Sequence, residues 1–284
     1  MPQVGAATAI PQELPPLEGP KLGLFKDHKS PITWLERLDI DRDGEETEGY
    51  VFRAVIKRRE YAIKVFKFFD PITTKSFWGP LLGRDTPLKT AAYLTDPFFC
   101  ECRAYGRINA TSPKKLRRDI ATPCHGFLFL GKRDEAALSR HIDLELDKVD
   151  VTYQNSVEGA CCVRAIVKDV ASPNAGVSTN NLRRILDGIK ALNRAKLYNM
   201  DIKLANFRGG QLVDFGSSWT EPHRLLNAVD DRAARGYRNA DRVRFDEMME
   251  TEKIPNPKQV RAMPDSSYVK KLRPRPPRPL TRGS

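Results

Sequence analysis

The sequence has little of what marks a secreted or membrane-embedded protein. It contains no run of about eighteen apolar residues, which excludes a membrane-spanning helix. The opening MPQVGAATAIPQELPPLEGP has neither the basic start nor the apolar centre of a secretory leader, so the expectation is a chain that is not secreted. Cysteine is scarce. The five, at 100, 102, 124, 161 and 162, are odd in number and lack framework spacing. A chain of this size does not need such staples, and a reducing compartment, nucleus or cytoplasm, follows. No internal repeat is visible.

What is present is charge, unevenly placed. The net charge of the 284 residues is +12. From Asn256 to Ser284 eight basic residues face Asp265 alone, so this tail carries +7 of that total. Its ending KKLRPRPPRPLTRGS is too rich in proline for a helix or a central strand. It reads either as a disordered solubilising end or as a segment for an acidic partner, nucleic acid or nuclear targeting.

Four regions follow from the composition. Residues 1–34 read as a flexible Pro-rich arm, 35–170 as a β-rich lobe with an irregular insertion at 70–96, 171–255 as a short helical lobe, and 256–284 as the tail. EGYVFRAVIKRREYAIKVFKFF (48–69) holds two β-rich runs, 50–56 and 61–68, about a charged turn, which predicts a hairpin. PFFCECRAYGRINA (97–110) reads as a helix opening at Pro97 with Asp96 as N-cap. CHGFLFLG and CCVRAIVKDV supply further strands. Leu182, Ile185, Leu186, Ile189 and Leu192 form one apolar stripe, which predicts a helix over 179–197. Two more helices are expected at 222–235 and 241–252, and a short strand at 211–213.

The stretch YNMDIKLANFRGGQLVDFG (198–216) carries the chemistry. An Asp-x-Lys-x-x-Asn followed eight residues after the Asn by Asp-Phe-Gly, with YAIK (61–64) upstream, resembles the protein kinases. GEETEGYV (44–51) stands where the glycine-rich loop belongs, with Gly44, Gly49 and Val51 matching and Glu46 in place of the middle glycine. The resemblance implies an α+β, two-lobed protein-kinase-like fold with a β-rich N-lobe and a truncated helical C-lobe. It makes Lys64 the contact to the nucleotide phosphates and Glu101 its partner. Asp201 becomes the catalytic aspartate and Lys203 its phosphate-facing neighbour, with Asn206 and Asp214 as ligands of Mg²⁺. ATP and Mg²⁺ are the implied cofactors. Such chemistry asks for positioning and charge neutralisation: hard oxygen ligands for the metal, one cation for the phosphates, one carboxylate for the acceptor hydroxyl.

Departures from the kinase pattern limit the expectation. Asn199 and Met200 replace the usual His and Arg, which removes the grip on a phosphorylated activation loop. No Ala-Pro-Glu follows, so the helical platform for peptide substrates is mostly missing. Glu45, Glu46 and Glu48 crowd the nucleotide-covering loop. A carboxylate about 6 Å from a phosphate charge costs roughly 3 kcal/mol at an effective dielectric of 20. Half of that weakens binding about tenfold.

A narrower resemblance, on DPFFCECRAYGRI and DIKLANFRGGQLVDFGSSWT, is to the fungal kinetochore Sim-four complex subunit Fta-two family. It implies a nuclear, centromere-associated assembly. Three functions stay open: a Ser/Thr phosphotransferase, a non-catalytic pseudokinase scaffold, and a small-molecule kinase. A zinc site from Cys100, Cys102, Cys124 and His125 is disfavoured, because Cys-x-Cys on a helix points its thiols apart. Ser217, Ser218 and Thr220 read as loop hydroxyls, and Trp78 and Trp219 as packing residues.

Overall fold

The computed structural model describes residues 13–15, 18–39, 47–111, 119–142, 144 and 162–263. Its first half is built on a five-stranded antiparallel sheet. The strands are β1 (Thr33–Arg37), β2 (Gly49–Ile56), β3 (Arg59–Phe66), β4 (Cys124–Phe129) and β5 (Arg164–Lys168), in spatial order β1-β2-β3-β5-β4. The β2–β3 hairpin turns on Lys57 and Arg58, both at positive φ (46° and 64°), the conformation that a two-residue turn imposes on twisted strands.

β3 and β5 are central and covered on both faces. Ile63, Val65, Ala165 and Val167 enter one apolar cluster with Phe52 and Leu128. Their neighbours Phe66 and Ile166 enter another, with Phe98, Tyr105 and Phe215. The period of two therefore turns alternate side chains of these strands toward the helix α3 (Pro97–Thr111). Asp96 caps α3 by accepting from Phe98 N at 2.9 Å, as its position before Pro97 predicts. Its other oxygen takes Arg164 Nη1 of β5 at 2.5 Å, a buried ion pair that pins the start of α3 to the sheet.

Two expectations are corrected here. The insertion at 70–96 is helical: a 3₁₀ turn (Pro71–Thr74), α1 (Lys75–Leu82) and α2 (Leu88–Thr95). Trp78, fully buried and donating to Pro71 O at 2.8 Å, organises it, which the Gly-Pro breakers conceal. The supposed arm packs against the molecule over its described part. Leu22 N donates to Cys102 O at 3.1 Å and Phe25 N to Phe127 O at 2.9 Å, and both side chains are buried. Gly106 permits this crossing, since a Cβ there would lie 2.6 Å from the Lys21 carbonyl carbon. Above the sheet lies the short helix α4 (Lys132–Leu138).

The second half begins with α5 (Leu182–Arg194), whose apolar stripe is buried as expected. Short ladders follow: β6 (Leu197–Tyr198) with β9 (Trp219–Thr220), and β7 (Phe207–Arg208) with β8 (Gln211–Leu212). The two helices expected at 222–235 and 241–252 are in fact a short α6 (Arg224–Ala228) and one long α7 (Asp231–Thr251). The break falls at Asp230, which caps α7 by accepting from Ala233 N at 2.8 Å, and nothing between 235 and 241 interrupts the helix. A third cluster joins Trp78, Ala91 and Leu94 of the insertion to Tyr198, Trp219, Leu225 and Ala234. Residues 256–263 fold back on α7, where Asp246 accepts from Ala262 N and Met263 N. The rest of the expected tail lies outside the described residues. Among the described residues no helix is long and apolar enough to cross a membrane.

Candidate functional site

Lys64 of β3 and Lys168 of β5 project from the same face of the sheet, two residues apart in register (Ala62 opposite Lys168, Lys64 opposite Ile166). Both meet Glu101 of α3, which is fully buried. Lys64 Nζ donates to Glu101 Oε2 at 2.9 Å and Lys168 Nζ to Glu101 Oε1. Lys64 also donates to Asp214 Oδ1 at 2.7 Å, and Lys168 to Val213 O at 2.7 Å. The strand lysines thus hold both α3 and the Val213-Asp214 segment, by the Val213 carbonyl and the Asp214 carboxylate. Asp214 Oδ1 further accepts from Gly216 N at 3.0 Å, and Phe215 packs edge-on to Tyr105 of α3 at 5.2 Å.

The 198–206 stretch is placed by a residue that the sequence did not single out. Asp241 of α7, with no exposed surface, accepts from Asn199 N and Met200 N at 2.8 Å each and from Asn193 Nδ2 at 2.7 Å. Met200 is held at φ 67°. Asn199, read above as the loss of a histidine, clips the two motifs together: its Nδ2 donates to Asp214 O at 2.7 Å, and its Oδ1 accepts from Asp201 N at 3.1 Å. Asn206 Nδ2 donates to Asp201 O at 2.8 Å and to Asp201 Oδ2 at 2.9 Å, which leaves the amide oxygen for a cation. Lys203 Nζ lies 2.8 Å from Asp201 Oδ2, and Arg244 of α7 stands 3.9 Å from its Oδ1.

Lys64, Lys168, Asp201, Lys203, Asn206 and Asp214 line one cavity of about 780 Å³, a volume that suits a nucleotide-sized ligand, while Glu101 and Asp241 stand behind its wall. Gly49 and Val51 line it as well. Gly44 lies outside the described residues. Electrostatics follow from burial and pairing. Burial opposes the charge on Lys64, but Asp214, Glu101 and Glu48 outweigh it and hold the ammonium above its ordinary value. Burial likewise pushes the Asp214 carboxyl up, and Lys64 with Lys168 overcomes this and holds it below the ordinary range. For Glu48 burial prevails over the pull of Lys64: with Asp214 and Glu101 adding to it, the carboxyl rises to about 7.

The donor set fits Mg²⁺. Asp214 and Asn206 offer hard oxygens, and this ion takes one or two protein ligands with the remainder from phosphates and water. No group of three or more His, Cys, Asp or Glu that could hold a metal occurs among the described residues. Burial pushes the Cys100 and Cys124 thiols up to about 12 and Cys102 well above its usual value, so as free thiols they are protonated and unreactive.

A five-stranded sheet in this order, a strand lysine paired with a helix glutamate, and Asp-Phe-Gly beneath them define an α+β, protein-kinase-like fold. The chain belongs to the kinetochore Sim4 complex subunit FTA2 family, whose model matches residues 10–219. No curated protein matches it. Among solved structures, one described as vaccinia related kinase 3 is similar at 10% identity and a TM-score of 0.36, over 72% of this chain and 53% of that one. The chain therefore spans about half the length of that structure.

Proposed function

We propose that this FTA2-family chain binds a magnesium nucleotide, ATP, in the cleft between sheet and helices, and that the cleft is equipped for transfer of a phosphoryl group to a Ser or Thr hydroxyl. One observation carries the reading: Lys64 is held within 2.9 Å of Glu101 and 2.7 Å of Asp214, facing the same cavity as Asp201 and Asn206. Lys64 would hold the phosphates, and Asp214 and Asn206 the metal, which neutralises phosphate charge when bound. Asp201 would orient the acceptor hydroxyl. Calorimetric titration of ATP with and without Mg²⁺ tests it. Binding is expected to depend on the metal and to lose that dependence in Asp214→Ala. Asp201→Asn should stop turnover and spare binding. Equal heats with and without Mg²⁺ would sink the reading.

A second reading is a non-catalytic scaffold in a nuclear, centromeric complex. The route from Asp214 to α7, by β9 and α6 alone, favours it, since little chain remains there to seat a peptide. Centromeric localisation of the tagged chain, retained by Asp201→Asn, is the expected result. Diffuse cytoplasmic signal would count against it.

A further inference from the structure

An ammonium group has three donors. Lys64 gives one to Glu101 and one to Asp214, and its third hydrogen-bond partner is Glu48 Oε2 at 3.5 Å. Glu48 has two further attachments in the same corner. Its Oε1 accepts from Ser217 Oγ at 3.2 Å, and its Oε2 rests against Gly216 so closely that a Cβ there would lie 1.6 Å away. The carboxylate therefore fills the space bounded by Lys64, Gly216 and Ser217, at the end of the cavity where the Lys64 amine is offered to an anion.

This placement does not come from a wandering loop. Lys67 N donates to Glu48 O at 3.0 Å, which continues the β2–β3 ladder one step beyond the Gly49–Phe66 pair. The backbone of Glu48 is fixed by the sheet, and only rotation of its side chain clears the corner.

We infer that Glu48 is the specificity-determining residue of the cleft. Its carboxylate is a built-in anion beside Lys64, so the cleft accepts an uncharged nucleoside as it stands and takes a polyphosphate only when that side chain turns out. The inference rests on the nucleotide-binding reading for the base, and on Lys64 and Glu48 alone for the anion. The rest of the cavity is untouched by Glu48 and stays available to a base and sugar.

The test compares adenosine, ATP and inorganic tripolyphosphate, each with Mg²⁺ and at pH 8 so that Glu48 is ionised, by calorimetry on the full chain and on Glu48→Gln. Glu48→Ala serves as a second variant should the first fold poorly. In the unaltered chain ATP should bind no tighter than adenosine. Glu48→Gln should tighten ATP and tripolyphosphate by about tenfold or more, since a like charge is removed at close range, and should leave adenosine within about twofold. Adding Lys64→Met to Glu48→Gln should abolish that gain. The inference is overturned if both Glu48 variants leave tripolyphosphate and ATP unchanged, or if adenosine tightens in step with them. A gain for tripolyphosphate with no binding of adenosine and no advantage of ATP over tripolyphosphate would uphold the anion role of Glu48 and remove the nucleotide reading instead.

Discussion

Lys64 and Lys168 share one carboxylate, and that sharing sets what a substitution at either does. Glu101 has no exposed surface, and a buried carboxylate stripped of every cation is strongly destabilising. With either lysine removed, the other still satisfies it. Lys64→Met and Lys168→Met should each cost about 2 kcal/mol, and the double variant more than their sum by about 1–2 kcal/mol. Urea denaturation of the four proteins closes this cycle, and simple additivity would show that the two amines do not share Glu101. Lys64 was legible from YAIK and Glu101 from its place on the expected helix over 97–110, despite a long separation, and the two are hydrogen-bonded. Lys168 was not legible, although a lysine inside the otherwise apolar RAIVK was a signal: a central strand tolerates one only where a carboxylate waits. Asn199 shows the opposite error. Its type was read only as a departure from the kinase histidine, yet its side-chain amide ties this segment to the Asp214 carbonyl.

At the scale of the element, α7 acts as the mount of the 198–206 stretch. Asp241 takes two backbone N–H groups and one side-chain amide, so its removal leaves Asn199 N and Met200 N without their acceptor, while Asn193 Nδ2 keeps Leu197 O. Unpaired buried donors cost about 1–3 kcal/mol each, with partial relief by relaxation. Asp241→Ala should therefore destabilise the fold by about 3 kcal/mol or more and release Met200 from its positive φ. A loss under about 1 kcal/mol in urea denaturation would show that α7 does not hold this segment. Nothing in DRAARGYRNADRVRFDEMMET separates Asp241 from its solvent-facing neighbours, because the partner donors come from a stretch some forty residues earlier. The same distance effect hid the insertion. Apolar residues scattered over 70–96 look irregular alone and become one face only against α6 and α7. Strands and the α5 helix were legible because their periods are local.

At the scale of the molecule, a buried histidine and a half-buried carboxyl among the described residues act on stability with opposite signs. His223, 1% exposed and stacked on Trp219 at 4.8 Å, sits where α3, the insertion and the helical half meet. Burial, and then the nearby Arg103 guanidinium, holds it down to about 3, so the unfolded chain takes up a proton near pH 6.5 and the folded one does not. Its contribution to stability is complete above 6.5 and falls away as the pH drops toward 3. Glu48, raised to about 7, works in reverse: the folded chain takes up the proton first. Its contribution is complete below about 4.5 and is lost as the pH rises through 7. Between about pH 4.5 and 6.5 the two slopes, each up to about 1.4 kcal/mol per pH unit, cancel. The native chain should therefore show a nearly flat stability over that window. Glu48→Gln should leave the histidine slope, with stability falling as the solution is acidified. His223→Phe, which keeps the stacked ring, should show stability rising on acidification until the other carboxylates begin to titrate. Urea midpoints for the three proteins at pH 6.5, 5.5 and 4.8 measure this, and parallel profiles would mean that neither group is held as its surroundings require.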